Sequence, residues 1–388
     1  MKQIYLDNAA TTSVDKIVVE EMLPYFSEKF GNISSIHSIG QEAKEAVEEA
    51  RKIIAKSLNA EEEEIYFTSG GTESNNMVLK GLFFENKNSK NHIITTKVEH
   101  DCVLNTCKWL EKQGAEVTYL NVDSEGFVKP EDVNKAIKKN TLVVSIIHGN
   151  NEIGTINDLA AIGKICQDKK VLFHTDACQS YTKTKLDVKT QNLDLVTLNA
   201  HKIHGPKGIG ALYIKKGIKI MPLLHGGGHE KGKRSGTENV PGIVGFAKAV
   251  SLAKDSYILP MEKLRDKLIE GILKIENIKL NGPREKRLCN NINVCFGNIE
   301  GESINGYLEQ EGIYCSTGSA CSSHTLEPSH VLRAIGRTHL EANSSIRLTL
   351  SRENTEEDVN KVLEVLPGVV AKLRKMSPFK NKSGEIKK

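Results

Sequence analysis

The stretch LDLVTLNAHKIHGPKGIGALYI, residues 193–214, holds two short apolar runs, 193–198 and 209–214, either side of a polar turn. The turn carries Lys202 and is broken by Gly205, Pro206 and Gly208, which end regular structure. Runs of this length bounded by glycine and proline read as buried strands. Working outward, similar runs occur at 65–67, 93–95, 117–120, 142–147 and 171–173. Helical patterns separate the earlier ones, near 74–85, 101–113, 130–139 and 158–169. Residues 42–58 set Ala43, Ala46, Val47, Ala50, Ile53, Ile54 and Leu58 on one face, as an amphipathic helix does. The alternation predicts an α/β domain with a mainly parallel sheet covered by helices.

After Gly226-Gly227-Gly228 and the loop to Pro241 the pattern changes. Residues 242–276 read as long helix broken near Pro260. Strands follow at 291–296 and 344–350, with helices near 302–311, 328–335 and 355–374. We expect a large domain over 15–255, and a smaller α/β domain formed by 1–14 and 256–376. A polar, lysine-rich tail covers 377–388.

With 388 residues the chain can bury a large core without disulfides or metal. Charged residues make up 26% and the formal net charge is +4, which gives no reason to invoke nucleic acid or an anionic membrane. The N-terminus lacks the apolar segment of a signal peptide, and no run approaches the ~20 apolar residues of a membrane helix. None of the eight cysteines forms a C-x-x-C pair. That usage suits reduced thiols in the cytoplasm and no zinc or other metal site.

Ligands of open α/β sheets bind outside the carboxyl ends of the strands. After 65–67 comes Thr68-Ser69-Gly70-Gly71-Thr72-Glu73-Ser74, leading into a helix. Glycines admit a ligand to the backbone, and free amides at a helix start favour an anion such as phosphate. The same residues also read as a plain turn with a hydroxyl cap. After 93–95 comes His100, placed to stack on a flat ring or move protons, or simply to cap the next helix. The run 171–173 ends in His174-Thr175-Asp176. An aspartate there needs a cation or hydrogen bonds, and either a protonated ring nitrogen or a helix N-cap supplies them. Lys202 follows 193–198, where a lysine with a lowered pKa forms Schiff bases. A lone lysine would read as a solvated charge. An anion loop, a stacking candidate, a ring-nitrogen partner and a lysine at successive strand ends together specify pyridoxal phosphate (PLP).

The segments YLDNAATT (5–12), FTSGGTESNN (67–76), TTKVEHDCV (95–103), NNEIGT (150–155) and HTDACQS (174–180) resemble the NifS/IscS-type cysteine desulfurases. So do AHKIHGPKGIGALY (200–213), HGGGHEKGKRSGTENV (225–240) and STGSACSSHTLEPSHVLRAIG (316–336). The resemblance implies the aspartate-aminotransferase-like fold of fold-type I PLP enzymes, a homodimer, and L-cysteine as substrate. It implies that Lys202 carries PLP, Asp176 pairs with the ring nitrogen, Gln179 meets the ring oxygen and His100 stacks on the ring. Gly71, Thr72 and His201 would hold the phosphate, joined by Thr237 of the partner subunit. Asn151 would touch ring or substrate, and Arg347 would clamp the substrate carboxylate, as a planar guanidinium does well. Cys321 would be the nucleophile that becomes a persulfide, with Lys202 and His100 moving protons.

Two positions depart from the family pattern. Asn199 stands where a serine usually contacts the phosphate, and an amide still donates there. Cys178 replaces a small apolar residue or threonine beside Asp176. The surroundings of Cys321 (Ser316, Gly318, Ser319, Ser322, Ser323) are small and polar, unlike those of a buried structural cysteine. Cys315 follows the apolar pair Ile313-Tyr314 and reads as the end of a buried strand.

The same fold also serves selenocysteine lyases and aminotransferases, the latter having no use for Cys321. A non-catalytic sulfur-assembly scaffold is the third alternative, opposed by the joint presence of Lys202, Asp176, His100, Arg347 and Cys321. The acceptor is expected to be a protein such as an iron–sulfur scaffold, and its identity is not legible in the residues.

Overall fold

The computed structural model describes residues 2–317 and 327–377. Every apolar run between 65 and 214 that reads as a strand becomes one. After a short β1 (Ile4–Tyr5) come β2 (Ile65–Thr68), β3 (His92–Thr96), β4 (Glu116–Leu120) and β5 (Thr141–Ser145). Then follow β6 (Leu172–Asp176), β7 (Leu195–Asn199) and β8 (Gly210–Ile214). These last seven form one sheet in the order β2-β8-β7-β6-β5-β3-β4. The pairings β7–β6–β5–β3–β4 are parallel, whereas β8 runs antiparallel to both β7 and β2. Strands β2, β3, β5, β7 and β8 are buried at every residue, because helices cover both faces of the sheet.

One face packs under the helices Ser38–Leu58 and Val240–Leu252, through Val47, Ile54 and Phe246 against Phe67, Val196 and Ala211. The other packs under Gly71–Asn86 and Asp101–Glu111, through Leu79, Leu82 and Cys107. The helix expected at 42–58 starts earlier, at Ser38, where His37 caps Gly40 N–H at 3.3 Å. The break expected near Pro260 lies instead at 253–257, between Val240–Leu252 and Ile258–Leu273. Pro260 sits in the first turn of the second helix, where a missing N–H costs nothing.

A second core gathers around β9 (Ile278–Leu280), β10 (Asn291–Phe296) and β12 (Ser345–Thr349), an antiparallel sheet backed by Ile258–Leu273, Gly301–Gln310 and Glu356–Met376. Ile4 and Leu6 belong to this core, and β1 pairs in parallel with β11 (Ile313–Tyr314). Residues 8–12 then cross to the large sheet. Ala9 N–H donates to Thr349 Oγ1 at 2.9 Å, and Thr12 N–H to the His201 carbonyl at 2.9 Å. The N-terminal strap therefore joins the Lys202 turn to the strand that carries Arg347.

Candidate active site

The carboxyl ends of β2, β3, β6 and β7 open onto a cavity of about 210 Å³. Gly71, Thr72, His100, Asn151, Asp176, Asn199, His201, Lys202 and Arg347 all line it. Nine residues predicted from sequence thus meet around one space. Two others, among the described residues, do not line it, and a third is not described. Gln179 is buried beside it and donates its Nε2–H to the Ala9 carbonyl at 2.9 Å. Thr237 lies exposed in the loop before Val240–Leu252. Cys321 lies outside the described residues.

The anion end is built by the start of the helix Gly71–Asn86, whose N-cap Gly70 offers no side-chain cap. Gly70 has φ +152°, a conformation open to glycine. Gly71 is required by packing: a Cβ there would come within 2.6 Å of Cys178 Sγ. His201 lies across the cavity, its Nδ1 3.2 Å from Thr11 Oγ1. Burial, reinforced by Lys202, lowers its pKa to about 4, so the ring is neutral at neutral pH.

Asp176 ends β6 and is 5% exposed. Its Oδ2 accepts Asn75 Nδ2–H at 2.7 Å and its Oδ1 accepts Cys178 N–H at 2.9 Å. His100 caps the helix Asp101–Glu111, its Nδ1 accepting Cys102 N–H at 3.2 Å, which leaves Nε2 for other work. Burial is the main cause that lowers its pKa, with Lys202 next. The loop before it rests on Glu99, a fully enclosed carboxyl that burial pushes up to about 8. Glu99 Oε1 accepts from Thr96 Oγ1 at 2.8 Å and from Ile147 N–H at 3.0 Å.

The opposite wall belongs to the second sheet. Arg347 on β12 is 2% exposed. Its Nη2 meets Asp7 Oδ1 at 2.9 Å and its Nη1 donates to the Asn151 carbonyl at 3.1 Å. Its Nε, like Asn151 Oδ1 and Asn199 Oδ1, is buried with no hydrogen-bond partner among the described residues. Buried polar groups are normally paired, so these atoms await a ligand. Cys315 follows β11 as expected, its Sγ 3.0 Å from Asn305 Oδ1, and burial pushes its thiol to about 12.

Sequence reasoning missed Asn75, Cys102 and Asp7. Asn75 lies four residues after Gly71, one helical turn on, so its side had a readable signal. Cys102 lines the cavity 3.2 Å from Asn75 Nδ2, and burial raises its thiol to about 12. Nothing local marked Asp7.

The residues present fit PLP. An uncapped helix start faces a phosphate, a fixed carboxylate suits a ring nitrogen, and Lys202 offers an amine.

A class-V aminotransferase family model matches residues 4–362. A protein named cysteine desulfurase IscS from Methanosarcina thermophila is 55% identical over 381 residues, spanning 97% of this chain and 94% of that one. A solved NifS-like protein superposes with a TM-score of 0.91 at 41% identity, covering 96% of this chain and all of the other. A solved structure described as SspA in complex with cysteine gives a TM-score of 0.82 at 39% identity, over 91% of this chain and all of that one. The chain belongs to the class-V aminotransferase family, and is similar to proteins named cysteine desulfurase IscS and to a NifS-like protein.

Proposed function

We propose that this chain is a PLP-dependent cysteine desulfurase, which converts L-cysteine to L-alanine and leaves the sulfur on Cys321 as a persulfide. One observation carries the reading: Lys202, Asp176, His100, the Gly71–Thr72 helix start and Arg347 line a single cavity between two sheets. Bound PLP supplies an electron sink for the substrate's Cα. Lys202 Nζ would hold the cofactor and would move a proton to and from the substrate's Cα. Asp176, held by Asn75 and Cys178 N–H, keeps a proton on the ring nitrogen. Gly71 N–H, Thr72, Asn199 and His201 bind the phosphate, with Thr237 of the partner subunit completing it in a homodimer. Gln179 meets the ring oxygen and His100 covers the ring face. Arg347 and Asn151 receive the amino acid.

Cys321 Sγ forms a bond to the substrate sulfur as the carbon–sulfur bond breaks. The bonding pair stays on carbon, which takes a proton and becomes the methyl of alanine. Residues 15–255 hold the cofactor, while 1–14 and 256–376, joined by Asn151, supply the substrate wall. A sulfur-acceptor protein such as an iron–sulfur scaffold, in the cytoplasm, takes the persulfide. No described helix is long and apolar enough to cross a membrane.

The test is a single turnover with cysteine, measuring alanine and the mass of each cysteine peptide. One added sulfur on the peptide bearing Cys321 is expected. Cys321→Ser should release no alanine, yet borohydride should still fix PLP on Lys202. Undiminished alanine from Cys321→Ser, or added sulfur only on Cys315 or Cys178, overturns the assignment.

A further inference from the structure

Lys202 also lines a second cavity of about 40 Å³, together with Lys183, Asn8, Asn290, Tyr257 and Arg352. Lys183 follows the turn that carries Asp176 and Gln179. Its Nζ donates to the Gln179 carbonyl at 3.0 Å and to the Lys202 carbonyl at 3.1 Å. No carboxylate pairs with it among the described residues. The groups it feels are Lys202 and the thiols of Cys178 and Cys289. Its own charge reaches His201 and His204. Of the other charges on this cavity, Arg352 is paired with Asp15, and Lys254 lies at the rim. The residue before it, Thr182, has φ +63°. A β-branched residue in that left-handed region is strained, and such strain persists only where the surroundings impose it. The chain thus accepts strain to bring an unpaired cation under the Lys202 turn.

We propose that Lys183 is a positioning residue for the cofactor lysine, tying the Lys202 turn to the Asp176 turn and setting a positive charge beside Lys202 that favours the unprotonated form of the lysine–cofactor link. The inference rests on the reading that Lys202 holds PLP. Burial pushes the Lys183 amine down to about 8. Its charge is therefore present below that pH and fades above it, and a positive neighbour disfavours a second proton only while it is charged.

The experiment compares the PLP-loaded wild type with Lys183→Arg, Lys183→Gln and Lys183→Met. Cofactor absorbance is followed from about pH 6 to about pH 10, with circular dichroism as the check on folding. Lys183→Gln keeps hydrogen-bond donors without the charge. The midpoint of the absorbance change should rise by about one pH unit in the Gln and Met variants and stay at or below the wild-type value in the Arg variant, whose charge does not fade. A Gln variant with the wild-type midpoint overturns the proposal, as does failure of all three variants to fold. Borohydride fixation in the wild type separates the two readings. If PLP is not fixed on Lys202 there, the cofactor assignment fails first. If it is fixed and the midpoints coincide, only the role of Lys183 falls.

Discussion

The two walls of the cavity are made differently. The cofactor wall rises from the ends of strands of one sheet, and its carboxyls are held from within it: Asp176 by Asn75 and Cys178 N–H, Glu99 by Thr96 and Ile147 N–H. The substrate wall joins Asp7 to Arg347, 340 residues apart, so the guanidinium spends its fork on an internal carboxylate that a substrate carboxylate can replace. Among the described residues both walls keep some polar atoms without a partner, Arg347 Nε and Asn151 Oδ1 here, Asn199 Oδ1 and Glu99 Oε2 there. A permanently bound cofactor needs a preorganised seat, since every group ordered in advance is a cost not met on binding. A substrate that must enter and leave each cycle is served by groups whose internal partners can be exchanged.

That contrast is broken most severely at Lys202. Lys202→Ala should lower alanine formation at least about a thousandfold and abolish borohydride fixation of PLP, while leaving the fold intact by circular dichroism. If the two walls act separately, Arg347→Lys should leave PLP bound and raise the cysteine concentration for half-maximal rate about tenfold or more, because the planar fork is lost while the charge is kept. An unchanged cysteine dependence would remove Arg347 from substrate binding. Asp7→Asn sharpens the comparison further. It deprives Arg347 of its internal carboxylate, so the cysteine requirement should fall, by about threefold. A rise there would mean that Asp7 orients Arg347 rather than competing with the substrate.

The smallest effect at neutral pH concerns the histidines around the cofactor wall. His174, on β6, bonds Ser145 Oγ through Nδ1 at 2.8 Å and Thr197 Oγ1 through Nε2 at 3.1 Å. Burial lowers His174 and His148 to about 4 each. Both remain neutral in the folded chain after their unfolded counterparts have taken a proton near pH 6.5. Stability should therefore be undisturbed above that value and decline between about pH 6.5 and pH 4, by up to ~3 kcal/mol per residue. Urea unfolding at stepped pH measures this, and a His174→Gln variant should show a shallower acid slope.

Much of the cofactor wall is legible in residues 65–214. Each strand is a short apolar run ended by glycine, proline or a polar residue, and each chemical group follows its strand directly, as Asp176 and Lys202 do. The antiparallel insertion of β8 between β2 and β7 is not legible, because an apolar run has the same periodicity in either direction. Two-residue strands such as β1 and β11 are too short to show any period.

The sequence by itself determined the alternation of strands and helices, the helix start at Gly71 and the identities of Lys202, Asp176 and His100 as candidates, since those signals are local, whereas Arg347 entered only through the family resemblance. Only the tertiary structure decided that Asn75 fixes Asp176, that Asp7 meets Arg347 and that Lys183 sits on the Lys202 carbonyl. Those partners are chosen by how the two sheets and the N-terminal strap pack together. Contacts of that kind are set by chain closure and burial, and leave no mark on the residues flanking either partner.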